Sequence, residues 1–126
     1  MINTNKSLEN VLRKVVVAAY EAAMDLDEEH EVRVYISKTT VSYHTAKINE
    51  PIAKMHENVP VKLVYSFSFP TDEELLTWIE IHKFKNDPDK SEEENEERLR
   101  NSIIDEFKEK FADSIVYDIV HGIRRV

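Results

Sequence analysis

Residues 61–84 read VKLVYSFSFPTDEELLTWIEIHKF, two apolar runs on either side of Pro70-Thr71-Asp72-Glu73-Glu74, and the reading of the second run decides the number of strands. In the first run Val61, Leu63, Tyr65, Phe67 and Phe69 alternate with Lys62, Val64, Ser66 and Ser68, the two-residue period of a strand with one buried face. The second run fits two structures. Thr71 and Glu74 have the Thr-x-x-Glu spacing of a capping box, which would open a helix. Against this, Thr77, Ile79 and Ile81 place β-branched residues at every second position, which favours a pleated neighbour. The strand is the expectation carried forward. A hairpin over a five-residue loop then pairs Phe67 with Thr77, Tyr65 with Ile79 and Leu63 with Ile81 on the core face. The opposite face carries Lys62, Val64, Ser66 and Ser68 beside Trp78, Glu80 and His82.

C-terminal to this hairpin, Asn86-Asp87-Pro88-Asp89 is a turn, and Ser91 with Glu94 forms a capping box for a last helix. Its acidic start, residues 92–97, and its basic end, Arg124 and Arg125, both suit the helix dipole, so neither needs a functional reason. Glu94–Arg98, Glu96–Arg100 and Glu106–Lys110 are i,i+4 pairs of a solvated face. The apolar stripe is Leu99, Ile103, Phe107, Phe111, Ile115, Ile119 and Ile123, joined by Ile104, Val116 and Val120. A continuous helix over 92–121 would be roughly 45 Å long, whereas a domain of this size is about 36 Å across. The sequence therefore predicts either a break near Ala112-Asp113-Ser114 or an end that projects and buries Ile115, Ile119 and Ile123 against another chain.

N-terminal to it, Ser7 can cap a helix whose apolar positions Leu8, Val11, Leu12, Val15, Val16, Ala19, Ala22, Ala23 and Leu26 follow the 3.6-residue period. Val17, Tyr20 and Met24 add a second apolar stripe, leaving Arg13, Lys14, Glu21 and Asp25 as the wet side. Such a helix is covered on two sides, either by the sheet and the last helix or by a second subunit. Val32, Val34 and Ile36 alternate with Arg33, Tyr35 and Ser37 as another half-buried strand, with residues 40–45 as its return partner. Asn49, Pro51, Ile52, Ala53 and Met55 suggest a short helix that stops before Pro60.

The expected fold is a single α+β domain over residues 1–126: an antiparallel sheet of three to four strands flanked by a long N-terminal and a long C-terminal amphipathic helix. The 126 residues contain no cysteine, so thiol chemistry, disulfides and thiolate metal sites are excluded. The single glycine, Gly122, excludes Gly-rich phosphate loops. A net charge of −8 opposes a broad nucleic-acid surface. The longest apolar run, residues 15–19, is too short to span a bilayer and no signal-peptide h-region is visible, so a cytoplasmic setting is expected. Asn, Lys, Glu and Ile are frequent, as in AT-rich bacterial genomes and their phages, which associates the chain with the cytoplasm of a bacterium or a phage-infected host.

No His-Glu-x-x-His, Gly-x-Ser-x-Gly or cysteine-nucleophile pattern is present, and the expectation is no cofactor and no metal. Trp78, Glu80 and His82, with Lys62 and Ser66 across the hairpin, are the candidate ligand-binding face. A carboxylate and an imidazole there can share a proton and an indole can stack on a base or sugar, while any solvated sheet face also shows such alternation. His44 and His56 join a metal site only if the fold brings them near Glu80 and His82. Val17, Tyr20, Met24, Ile115, Ile119 and Ile123 are the candidate oligomer interface. The favoured function is a non-enzymatic homo-oligomer that binds another macromolecule, as an adaptor, chaperone-like partner, or phage or accessory regulator. The rival is a small-ligand or nucleotide-binding protein, or a small acid/base enzyme, using Trp78, Glu80, His82 and Lys62. The order helix, strands, helix resembles the helix-flanked antiparallel sheets of secretion chaperones and phage tail-terminator proteins, a likeness of architecture that does not carry function.

Overall fold

The computed structural model describes residues 4–125, and the side chains of residues 7–122. Helix α1 (Thr4–Ala23) leads into strands β1 (His30–Ser37), β2 (Val41–Lys47), β3 (Met55–His56) and β4 (Val59–Phe67), followed by helices α2 (Asp72–His82), α3 (Glu92–Glu106) and α4 (Ala112–Arg125). The strands form one antiparallel sheet in the order β2-β1-β4-β3, so the α+β expectation holds, with four strands. β1 pairs Ile36 with Val41 on β2 and Ile36 with Leu63 on β4. Ser37 then meets Val61, so Lys62 is an extra residue that bulges β4.

The inner face of the sheet presents Val32, Val34, Ile36 and Phe67 to Leu12, Val16, Ala19 and Ala23 of α1 and to Val116, Ile119 and Val120 of α4. α4 comes close enough to β4 that a Cβ on Gly122 would stand 3.3 Å from Leu63 Cδ2. The second stripe of α1 faces the last helix: the Tyr20 ring stacks on Phe107 at 3.7 Å and meets Phe67 edge-on at 5.6 Å. Even the wet side of α1 reaches across, since Arg13 pairs with Asp113, Glu21 with Lys108 and Asp25 with Arg100. Exposed pairs of this kind contribute little individually. The helix begins at Thr4, so Ser7 lies inside it and is not its cap.

The second apolar run is helix, not strand. Thr71 Oγ1 accepts from the Glu74 amide at 3.2 Å and Glu74 Oε1 accepts from the Thr71 amide at 3.3 Å, which completes the capping box. The helix closes with Lys83 in the left-handed region (φ 53°) and the Phe84 amide bonded to Ile79 O, a Schellman end. β3 pairs with β4 only at Val59 and Pro60, and residues 72–82 are helical, so among the described residues no second strand lies beside Leu63, Tyr65 and Phe67 on the side away from β1. The pairings of Phe67, Tyr65 and Leu63 with residues 77–81 therefore do not form. Leu75 and Trp78 turn toward the core instead, at helical spacing.

Two further expectations are overturned. The short helix expected between Asn49 and Pro60 is an extended connection followed by the β3–β4 hairpin, whose two loop residues Glu57 and Asn58 both have positive φ (50° and 66°), as a type I′ turn requires. The last helix neither breaks near Ser114 nor projects. It runs from α3 to α4 through a π-helical turn at Phe107–Phe111, which inserts one residue into the stripe. Burial accordingly steps from Ile103 to Phe107 and then five positions to Ala112, leaving Phe111 49% exposed. The shifted register lays Val116, Ile119 and Val120 on the sheet and α1. The excess helix length lies at the acidic start, where Asn95 alone is buried, accepting from the Asp87 amide at 2.9 Å and so pinning the preceding turn.

β1 is buried on both faces, where the sequence predicts one. Its outer face is covered by the β2–β3 connection, which Arg33 holds down. The guanidinium is 1% exposed and donates to Glu31 Oε2 at 2.7 Å, to Lys47 O at 3.0 Å, Ile48 O at 3.3 Å, Glu50 O at 2.7 Å and Pro51 O at 3.4 Å. The bond to Glu31 holds Arg33 further above its ordinary range.

Candidate functional site

Because residues 72–82 are helical, Trp78 and His82 are four residues apart on one face of α2 and Glu80 points elsewhere. The indole and imidazole rings stack at 4.1 Å. Trp78 Nε1 donates to Glu106 Oε1 at 3.3 Å, His82 Nε2 pairs with Glu106 Oε2, and His82 Nδ1 lies 2.9 Å from Trp78 O. Both ring nitrogens of His82 thus face acceptors, and the three side chains satisfy one another. Glu106 was not among the expected site residues; a Trp and a His at i,i+4 on a helix are the signal that an acceptor on a neighbouring element is needed.

The other candidates lie apart from this group. Ser66 Oγ donates to Glu31 Oε2 at 3.3 Å and sits across from Arg33, so it belongs to the network under the β2–β3 connection. Lys62 is the exposed bulge residue on β4. Glu80 is exposed beside Leu76, Ile79, Lys83 and Phe84. The proposed common face of Lys62, Ser66, Trp78, Glu80 and His82 does not exist, because its premise was a strand at 75–84. Of the five, the fold brings together Trp78 and His82.

The candidate interface residues are drawn into the chain's own core. Met24 and Ile119 are buried, Ile119 completely, and Val17, Tyr20 and Ile115 pack against the core cluster. The Ile123 side chain lies outside the described residues. Among the described residues the two most exposed large apolar side chains lie elsewhere, on α2. None of its eleven residues is buried, and Leu76 and Ile81 are 67% and 69% exposed. A shallow trough lined by Glu73, Glu74, Thr77, Trp78, Ile81, His82 and Glu106 runs along this helix, apolar at its floor and acidic at its rim.

His44 and His56 meet each other on the outer face of the sheet and not Glu80 or His82. Their Nε2 atoms are 3.3 Å apart, and the His56 ring lies parallel to Tyr35. His30, by contrast, bonds Asp27 at 2.7 Å, which with the Glu29 amide holds that carboxyl below its ordinary range. Among the described residues no group of three or more His, Asp or Glu side chains is placed to share a metal ion. No helix among them is long and apolar enough to cross a membrane.

No known protein family, curated protein or solved structure matches this chain.

Proposed function

We propose that this chain is an interaction protein that acts by binding another protein on the exposed face of α2, in the manner of an adaptor or chaperone-like partner. The observation that carries the reading is a capped eleven-residue helix that buries none of its residues while presenting Leu76 and Ile81. Ile81 stands beside Trp78 and Leu76 beside Ile79 and Phe84, on two sides of the helix, and exposed apolar surface of this kind marks docking sites on soluble proteins. The capping box, the Schellman end and the packing of Leu75 and Trp78 against the core fix the helix, so the exposed face is formed before a partner arrives. Glu73, Glu74 and Glu106 rim the trough beside Trp78 and Ile81, and the whole chain carries −8, so the partner segment should pair apolar residues with lysine or arginine.

Self-association belongs to the same proposal. The described residues expected to mediate it pack inside the monomer, and α2 is the surface to which we assign a second copy as well. The test is a double variant, Leu76→Ser with Ile81→Ser, made at exposed positions where stability changes stay within about 0.5 kcal/mol. It should keep the native melting curve and lose the partner recovered by affinity capture under conditions where wild type retains it. Sedimentation of both proteins then reports whether the occupant was a second copy. An equal yield of the same partner with both proteins would remove α2 from the account.

A further inference from the structure

We propose that His44 and His56 are the two protein ligands of an open zinc site on the outer face of the sheet. The residues come from separate elements: His44 lies on β2, across from Arg33 of β1, and His56 ends β3. Their Nε2 atoms lie 3.3 Å apart and the ring centroids 4.8 Å. Zinc binds imidazole nitrogen at about 2.0–2.1 Å, so two such ligands on a tetrahedral ion stand about 3.3–3.4 Å apart. The observed separation is that edge.

The surroundings point the same way. An imidazole nitrogen offers either one lone pair or one N–H, and so makes one in-plane hydrogen bond. His56 Nε2 nevertheless faces three polar atoms: His44 Nε2, Ser42 Oγ at 3.1 Å and Glu57 Oε1 at 3.9 Å. It can satisfy one of them, whereas a divalent cation held between the two rings would take a lone pair from each imidazole, with the Ser42 hydroxyl beside it. Tyr35, buried on β1, acts as a platform for both rings: His56 is parallel to it at a centroid distance of 5.6 Å and His44 lies tilted at 6.1 Å. The type I′ turn at Glu57-Asn58 holds the Glu57 carboxylate nearby as a negative charge for the ion.

Imidazole pairs suit zinc, copper and nickel, while magnesium and calcium prefer oxygen ligands. The tetrahedral edge selects zinc among the first three. With two nitrogen ligands, and no group of three His, Asp or Glu placed to share an ion among the described residues, the remaining positions are open to water, the Ser42 hydroxyl or a donor from another molecule. A bound ion would tie β2 to the β3–β4 turn. The α2 surface plays no part in this, so either reading can fail without the other.

The test is calorimetric titration of the full chain, stripped with chelator, with zinc chloride, and with magnesium and calcium chloride as controls. One zinc per chain at micromolar affinity is expected, with no heat from magnesium or calcium. His44→Gln and His56→Gln should each weaken binding by about tenfold or more, and Glu57→Gln by less, as for a charge outside the ligand set. His30→Gln and His121→Gln should bind as wild type does. Zinc-induced shifts of the His44 and His56 ring resonances in the unsubstituted protein give the same answer even if a variant fails to fold. Unchanged affinity in a His44→Gln, His56→Gln double variant, or ring resonances that ignore zinc, would overturn the assignment.

Discussion

Replacing Arg33 by Met should be among the most damaging single changes in this chain, although the residue sits at a position that alternation marks as solvent-facing. The side chain is 1% exposed and its guanidinium serves five acceptors, four of them carbonyls of the β2–β3 connection. Met keeps most of the apolar stem and removes the donors. Glu31, whose side chain is 15% exposed, then keeps the Ser66 hydroxyl but loses its cation. Breaking a buried pair from one side costs about 3–5 kcal/mol. Summing the four carbonyl bonds at their individual worth would exceed this, but that connection lies at the surface and its carbonyls regain water once it lifts. The expected loss is therefore about 3–5 kcal/mol out of the roughly 6–19 kcal/mol that a chain of this length holds. Lys at the same position restores the charge without the planar fork and should recover about half of the loss. Urea unfolding measures both, and amide exchange should show residues 47–51 losing protection first. An Arg33→Met protein within about 1 kcal/mol of wild type would mean that the connection is held by something other than this side chain.

The π-helical turn predicts opposite fates for two phenylalanines four residues apart: Phe107→Ala should cost about 3–5 kcal/mol, and Phe111→Ala, half exposed, less than about 1 kcal/mol. Equal losses in urea unfolding would contradict the shifted register. Ile119→Asp puts a carboxylate at a fully buried position of the monomer and should abolish cooperative folding by circular dichroism, where an interface position would instead give a folded, smaller particle by sedimentation. Burial, reinforced by the charges of Glu106 and Glu74, pushes the Tyr20 phenol above its ordinary value of about 10. The unfolded chain then releases that proton first, so the contribution of Tyr20 is intact below about pH 10 and is lost as pH rises through the folded value. Above about pH 10, wild type should lose stability more steeply than Tyr20→Phe, and parallel curves would refute the link.

Where one hydrophobic period dominates, the sequence is a sufficient guide: α1, β1, β2, β4 and the last helix follow from the spacing of Leu12, Val16 and Ala19, of Val32, Val34 and Ile36, and of Ile103 and Phe107. The misread run carries two periods at once. Thr77, Ile79 and Ile81 satisfy the strand, Leu75, Trp78 and His82 the helix, and the capping chemistry at Thr71, Glu74 and Lys83 prevails. The π turn is similarly veiled, since Phe111 and Ala112 are both apolar and either can continue the stripe. β3 is two residues long and has no period to read, and its turn is made by Glu57-Asn58 without a glycine. Arg33 looks like a wet-face residue until the connection that covers it is in place. The candidate site fared likewise: the grouping of Trp78, Glu80 and His82 rested on strand alternation, and a helix keeps only the i,i+4 pair. The meeting of His44 with His56 depends on a hairpin folding over the sheet, which no local spacing encodes.

The central claim, that α2 is a docking helix, is tested most directly by photo-crosslinking in cells. A photoreactive amino acid is placed at Leu76 or Ile81 and, as a control, at Lys38 in the exposed β1–β2 turn. The account predicts a discrete adduct from positions 76 and 81 and none of that mass from position 38, the adduct mass telling a second copy from a different protein. The same adducts from all three positions, or none from 76 and 81, would contradict it.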